Sequence, residues 1–396
     1  MTKSNRFNHL KSSRFSRTTS SASTCSSSTS SANSSATGVE NPTDVSTPLE
    51  NGSLYSLKQL GWNPFFQQQL LIETKQYATV ARVCAHHRSQ YQLLTENGES
   101  TLAIHQNMPE MTVGDWLLLD SQQHFVCVLE RSALFSRKAA GSKVEQQLIA
   151  ANLDWVFIVS SLNDDFNINR IERYLALVHE AKVTPVIVLT KVDLCDDLTP
   201  YIAALRELDS SLLIETVNGL DEKSTQALSS YCADGKTVAF IGSSGVGKST
   251  LVNALLGDSS QLTSGVRQDD SKGRHTTTSR SLHLTHCGGL LLDTPGMREL
   301  QLVDCEEGLK ETFADLVEYA QQCRFIDCQH EQEPGCAVQG AIESGQLTER
   351  RLQSYQKLMR EQALNGASIA EKRAKDRNLS KMYKRVQGEA RVHKRG

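Results

Sequence analysis

The segment Gly242-Ser243-Ser244-Gly245-Val246-Gly247-Lys248-Ser249 constrains this chain more than any other, because it fits GxxxxGK[ST] in full. The apolar run TVAFIG leads into it and STLVNALLG follows, which predicts strand, loop and helix in that order. Glycines at these places let successive backbone N–H groups curl around phosphate oxygens without Cβ clashes. Lys248 supplies a cation to the β- and γ-phosphates, Ser249 a hydroxyl to Mg²⁺, and Thr250 continues the turn into a helix whose positive end faces the same anion. Such a segment normally opens its domain. Here more than 200 residues precede it.

Among those residues is VIVLTKVDL, whose Thr190-Lys191-Val192-Asp193 closes a buried-strand run. A carboxylate there can accept two hydrogen bonds from guanine, N1–H and the exocyclic amine, which adenine cannot offer. Thr190 stands where Asn is usual. It keeps a hydrogen-bonding hydroxyl and loses the amide. After the loop comes Asp293-Thr294-Pro295-Gly296 at the end of the strand run GLLL. Asp293 is suited to hold Mg²⁺ through water, and Gly296 lets a backbone N–H approach the γ-phosphate. Runs such as DWVFIVSSL and VTPVIVLT flank the helical NRIERYLALVHEA, so a doubly wound, mainly parallel sheet is expected. Base reader, phosphate loop and switches run in circularly permuted order, and one sheet accommodates either order because domain termini often lie close together. The permutation makes the second switch lead into whatever follows it.

The remainder divides by composition. Residues 1–50 are low-complexity Ser/Thr sequence, read as a disordered extension. Lys3, Arg6, Lys11, Arg14 and Arg17, with no acid before Glu40, leave an organelle transit peptide as the alternative. From Tyr77 to Arg131 five short strand patterns, separated by turn signals, predict an OB-type β-barrel within residues 51–133. No apolar run reaches the ~18–20 residues that span a bilayer, which argues against a membrane protein. The formal net charge of −3 conceals an asymmetry, since Arg350–Gly396 holds 14 Lys and Arg against 4 Asp and Glu. A basic end of this kind fits an RNA partner, or is a solvated helix face. Of ten cysteines, seven stand singly, a cytosolic pattern.

The other three cysteines cluster with a histidine. Cys323, Cys328, His330 and Cys336 form C-x4-C-x-H-x5-C, three thiolates and one imidazole, which suits tetrahedral Zn²⁺. With four protein ligands the site is closed, hence structural, and it staples a region too small to bury a core.

Permuted order together with this metal spacing resembles the ribosome small-subunit-dependent GTPase A family, RsgA, over roughly residues 55–365. The resemblance implies an α/β P-loop GTPase domain at 134–304, circularly permuted, after an N-terminal OB-type β-barrel. A zinc-binding α-helical domain at 305–365 and a basic tail at 366–396 follow. It implies a cytoplasmic, monomeric GTP hydrolase acting in late maturation of the small ribosomal subunit and binding its rRNA. GTP and Mg²⁺ belong to Thr190, Lys191, Val192, Asp193 and Gly242–Thr250, with Thr277, Asp293 and Gly296, and one structural Zn²⁺ to the Cys/His set. Met297 occupies the place where many GTPases carry a water-orienting Gln. His275, in GRHTTTSR, matches a residue to which the family's proposed catalytic role is given, orienting the attacking water. A loop histidine that contacts rRNA phosphate or solvent is the plainer reading of it. The segment that supports the base from its other side reads Ile214–Gly219 here, a weak match. Two further functions stay open at this level. One is an RNA-binding sensor of guanine nucleotide with negligible turnover; the other, a permuted GTPase of the large subunit, is disfavoured by the flanking domains.

Overall fold

The structure, a computed structural model, describes residues 54–72, 77–138, 146–163, 165–257, 281–293 and 305–366. All belong to one of the two units into which the chain divides, Ser46–Gly396. His275, Thr277, Gly296 and Met297 lie outside the described residues, as do residues 1–50 and the tail from 367.

Helix α1 (Pro64–Ile72) precedes five antiparallel strands, β1 (Thr79–His86), β2 (Gln90–Thr95), β3 (Gly98–Ala103), β4 (Trp116–Leu119) and β5 (Phe125–Val128). Their pairing order is β3-β2-β1-β4-β5, that of an OB-type barrel. Ala81, Val83, Tyr91, Leu93, Leu117 and Leu119 fill one face of this sheet. The alternate residues Cys84, Trp116 and Leu118 pack instead with Leu60, Phe66, Phe135 and Ile149. Burial on both faces explains why DWLLLD is apolar without alternation. A hairpin of β6 (Leu134–Lys138) and β7 (Gln146–Ala151) follows, absent from the sequence expectation, as is α1.

Next come β8 (Trp155–Ser161), α2 (Ile168–Glu180), β9 (Thr184–Thr190), α3 (Thr199–Arg206), β10 (Leu213–Val217), α4 (Glu222–Thr225), β11 (Thr237–Gly242), α5 (Lys248–Leu256), β12 (Ser281–Leu284) and β13 (Leu290–Asp293). Their order in the sheet is β10-β9-β8-β11-β13-β12, with all but β12 parallel. The central strand β11 thus has three earlier strands on one side and two later ones on the other. That is the permutation expressed as topology: lateral pairing does not depend on the order in which strands are joined. Beyond β12 the sheet continues into the barrel through one antiparallel pair, Ala85 with Ser281.

Buried Arg82 of β1 ties the two parts together. Its guanidinium donates to the carbonyls of Leu60 (2.6 Å) and Asn152 (3.1 Å) and to Thr237 Oγ1 (2.9 Å) at the start of β11. Burial pushes its pKa down to about 10, against the pull of Asp154 and Asp115.

Four helices complete the described chain: α6 (Glu306–Thr312), α7 (Ala314–Ala320), α8 (Ala337–Glu343) and α9 (Glu349–Gly366). They dock on α2. A Cβ added to Gly308 would stand 2.0 Å from the Ala176 carbonyl oxygen, so α6 approaches α2 as closely as backbones allow. Glu172 of α2 is wholly buried and accepts from Arg351 Nη1 (2.7 Å), Arg350 Nη1 (3.1 Å) and Ser354 Oγ. Arg351 also donates to Asp315 Oδ1 and to the Thr312 carbonyl, and lies over the Phe313 ring at 4.5 Å. Two arginines meet two carboxylates, which is what makes burial of so much charge tolerable.

Candidate functional site

Three parallel strands, β9, β11 and β13, end on the same edge of the sheet, and the sequence-predicted nucleotide residues sit at those ends. Ligand sites of open α/β sheets form at this carboxyl edge. Gly242 closes β11 with φ +147°, and a Cβ there would meet the Val159 carbonyl oxygen at 2.3 Å. Only glycine lets the loop leave its strand against β8. Ser244 and Gly245 are exposed while Val246 is buried, so the loop turns its backbone outward around one apolar anchor. Gly247 is left-handed and caps α5, whose first residue is Lys248. Lys248 is buried, and its Nζ donates to the carbonyls of Gly242 (2.8 Å) and Ser243, closing the loop. Ser249 is exposed and Thr250 half-buried in the first turn of α5.

Thr190 ends β9, in register with Ser161 of β8 and Val217 of β10. Its hydroxyl donates to the Val246 carbonyl at 2.6 Å, at a site almost closed to solvent. The segments Thr190–Asp193 and Gly242–Ser249, far apart in the chain, are therefore bonded to each other. Lys191 adopts left-handed φ (+59°), which redirects the chain so that Val192–Leu194 turn outward with Asp193 exposed. The weakly matched Ile214–Gly219 lies beside both Thr190 and the start of α5. Val217 pairs Thr190, and the Cα of Gly219 faces Thr250, 3.4 Å from where a Cβ would stand. Asp293 ends β13, half-buried and paired with Ser281. Sequence reasoning missed one participant. Arg170 of α2 donates to Ser243 Oγ in the loop, and no motif marks it.

The second cluster lies in the irregular chain between α7 and α8. Ligand atoms of Cys323, Cys328, His330 and Cys336 all fall within 4.8 Å of one another. His330 Nδ1 is 3.6 Å from Cys323 Sγ and 3.5 Å from Cys336 Sγ, and these two sulfurs are 3.9 Å apart. Zinc bonds of ~2.3 Å to sulfur and ~2.0 Å to nitrogen give tetrahedral edges of about 3.8 and 3.5 Å, so the set fits the ion. The fold prepares these positions. Cys336 caps α8 by accepting from Gln339 N–H (3.4 Å), and Gln339 Nε2 donates to the His330 carbonyl. Glu333 accepts backbone N–H groups of Gln329 (2.7 Å) and Glu331 (2.9 Å), bonds that hold its pKa below the usual carboxylate range.

The model of the RsgA GTPase family matches residues 128–303. A small ribosomal subunit biogenesis GTPase, RsgA 2 of Vibrio parahaemolyticus, is 63% identical over 335 residues, 85% of this chain and 94% of the relative. The chain belongs to the RsgA GTPase family. The counterpart from Vibrio vulnificus is 58% identical, covering 85% of this chain and 96% of its own. Among solved structures, YjeQ from Thermotoga maritima matches with a TM-score of 0.55 at 27% identity, over 72% of this chain and 98% of that one. YloQ, described as a circularly permuted GTPase, matches at 0.51 and 25% identity, over 73% and 96%. An ABC-transporter model also matches, over residues 225–386, a span that includes the phosphate loop but not Thr190–Asp193. Among the described residues no helix is long and apolar enough to cross a membrane. RsgA members are GTPases, and the permuted P-loop fold, with a metal-competent Cys/His cluster behind it, is this chain's architecture.

Proposed function

We propose that this RsgA-family chain acts in late maturation of the small ribosomal subunit, binding its rRNA in the GTP state and leaving on hydrolysis. The observation that carries the reading is the bond from Thr190 to Val246. It makes base recognition and phosphate binding one unit despite their reversed order. The relatives named as small ribosomal subunit biogenesis GTPases supply the process, and this chain spans nearly their whole length.

In this reading Asp193 accepts from guanine, with Lys191 and Val192 shaping the turn that presents it. The N–H groups of Gly242–Thr250 and Lys248 hold the phosphates. Ser249, Thr277 and Asp293 would hold Mg²⁺, which when bound would supply charge neutralisation at the phosphates. Gly296 N–H meets the γ-phosphate. His275 orients the attacking water in place of the Gln missing at Met297. Cys323, Cys328, His330 and Cys336 hold one structural Zn²⁺, and the basic chain beyond Arg350 meets rRNA phosphate. The protein works in the cytoplasm as a monomer, without a membrane.

Co-sedimentation with separated ribosomal subunits tests this directly. Small subunits should retain the protein with a non-hydrolysable GTP analogue and release it with GDP, and should accelerate phosphate release. Equal retention by large subunits, or no acceleration by small ones, would sink the proposal.

A further inference from the structure

One side chain from outside the GxxxxGK[ST] pattern reaches into the phosphate loop. Arg170 is the third residue of α2, and Asn167 caps that helix by accepting the Arg170 N–H at 3.1 Å, which fixes its backbone. Arg170 Nη1 donates to Asp165 Oδ1 at 2.6 Å and also to Ser243 Oγ. Ser243 is the first residue after β11, and its carbonyl is one of the two that Lys248 holds. A continuous path of bonds therefore runs from Asp165 through Arg170 and Ser243 to Lys248.

The helix carrying Arg170 is firmly mounted. In the same turn the buried Glu172 accepts from Arg350, Arg351 and Ser354, and Arg173 pairs with Glu361 of α9. Asp165 is mounted as well, its N–H donating to Asn163 Oδ1 (3.1 Å), which also accepts from Ser161 Oγ at the end of β8. A guanidinium held on both sides in this way fixes what it touches. Ser244 and Gly245, by contrast, are exposed, and a Cβ on Gly245 would meet nothing within 4 Å. Little packs around these two residues, so a restraint on Ser243 just before them has something to add.

We infer that Arg170 is a positioning residue for the phosphate loop. Through Ser243 it sets the loop's first turn and the carbonyl that Lys248 grips, so the N–H groups that follow are aimed before nucleotide arrives. Preorganisation of this kind lowers the ordering cost of binding. The guanidinium is already bonded to Asp165 and Ser243, so it acts through the loop rather than on phosphate. GDP and GTP share the phosphates that such a loop cradles, so loss of Arg170 weakens both alike. Uniform loss of this kind raises KM and spares kcat. The inference rests on Gly242–Thr250 being the nucleotide site.

The test uses the full-length protein with fluorescent GDP and a fluorescent non-hydrolysable GTP analogue. Arg170→Ala should weaken both about tenfold, the size of a lost charge-assisted hydrogen bond. KM for GTP should rise in step while kcat stays within about twofold. Arg170→Lys, whose ammonium can donate to both oxygens, should recover most of the affinity. Ser243→Ala should lose as much as Arg170→Ala, and the double variant no more than either, because both remove one contact. Lys248→Ala separates the two levels of the argument: if it still binds nucleotide normally, the site itself is misassigned. If Lys248→Ala abolishes binding while Arg170→Ala binds normally, the positioning role is overturned. Losses that multiply in the double variant, or that fall on the GTP analogue alone, overturn it too.

Discussion

Around the phosphate loop every residue of β11 is buried, and the loop is bonded to β9 through Thr190, to α2 through Arg170 and to itself through Lys248. From Gln321 to Gly335 the chain that carries the Cys/His cluster has one buried residue, His330, and Ile326 stands fully exposed. The first region takes its geometry from a packed sheet, where close-packed neighbours fix each backbone group. The second buries almost no apolar surface, so a metal held by the Cys/His cluster would supply what packing does not. Cys336 Sγ and His330 are oriented by Gln339, but orientation alone does not outweigh the entropy of ordering so open a segment. The two ends also differ in how much they depend on each other. The nucleotide end borrows one bond from α2, whereas the metal module is seated on α2 through a buried charge network.

Removing the metal should separate the behaviour of the two regions most sharply. Structural zinc contributes on the order of 10 kcal/mol to folding of small zinc domains. Cys328→Ser should therefore bring bound zinc below one equivalent and strip hydrogen-exchange protection from residues 321–336. GDP affinity should stay within about twofold, since no ligand touches the loop edge of the sheet. Metal analysis, exchange and a nucleotide titration read the three together. A fall in GDP affinity matching the loss of zinc would show that the nucleotide end is not self-supporting.

The joint between the two ends is the next test. Glu172→Ala leaves Arg351 buried without its closest carboxylate, a change that costs about 3–5 kcal/mol. The melting temperature should fall, and limited proteolysis should open the α6–α9 module first. Adding Arg351→Met should recover part of the loss, because the stranded charge goes with it. Thermal unfolding of the two variants gives the answer, and an equal or lower melting point in the double variant would contradict it.

The smallest effect belongs to the nucleotide end alone. Thr190→Val keeps the shape of the side chain but leaves the buried Val246 carbonyl without its donor, a cost of about 1–3 kcal/mol. Guanine nucleotide affinity should drop about tenfold, with zinc content unchanged. Titration with fluorescent GDP measures the drop, and full affinity in that variant would mean that the loop holds itself without β9.

Both sites were legible in the sequence for the same reason: each is carried by a short contiguous segment whose residue types are demanded by its chemistry. Glycines, Lys248 and Ser249 must be adjacent to wrap a phosphate, and four metal ligands within fourteen residues leave little room for another use. Thr190 was only half legible. Its difference from Asn marked a lost amide, but that the remaining hydroxyl grips Val246 across 56 residues of chain follows from the sheet register alone. Helix α1 and the β6–β7 hairpin escaped because their apolar residues follow no clean period, packing as they do between barrel and sheet.

Local spacing and residue chemistry suffice for the permuted order of motifs, the strand–loop–helix around Gly242–Ser249 and the Cys/His cluster of residues 323–336, so each is readable from the linear chain. Tertiary structure decided which distant residues serve those segments. Arg82, Arg170, Glu172 and Arg351 are ordinary charged residues in the linear chain. They become a domain clamp, a loop brace and a buried docking network only because the Arg82 side chain of β1 reaches the start of β11 and α2 lies beneath α6 and α9. A polar side chain must find its partners wherever the fold brings them: Ser243 lies 73 residues from Arg170, Thr237 155 from Arg82 and Glu172 179 from Arg351, beyond the reach of any local pattern.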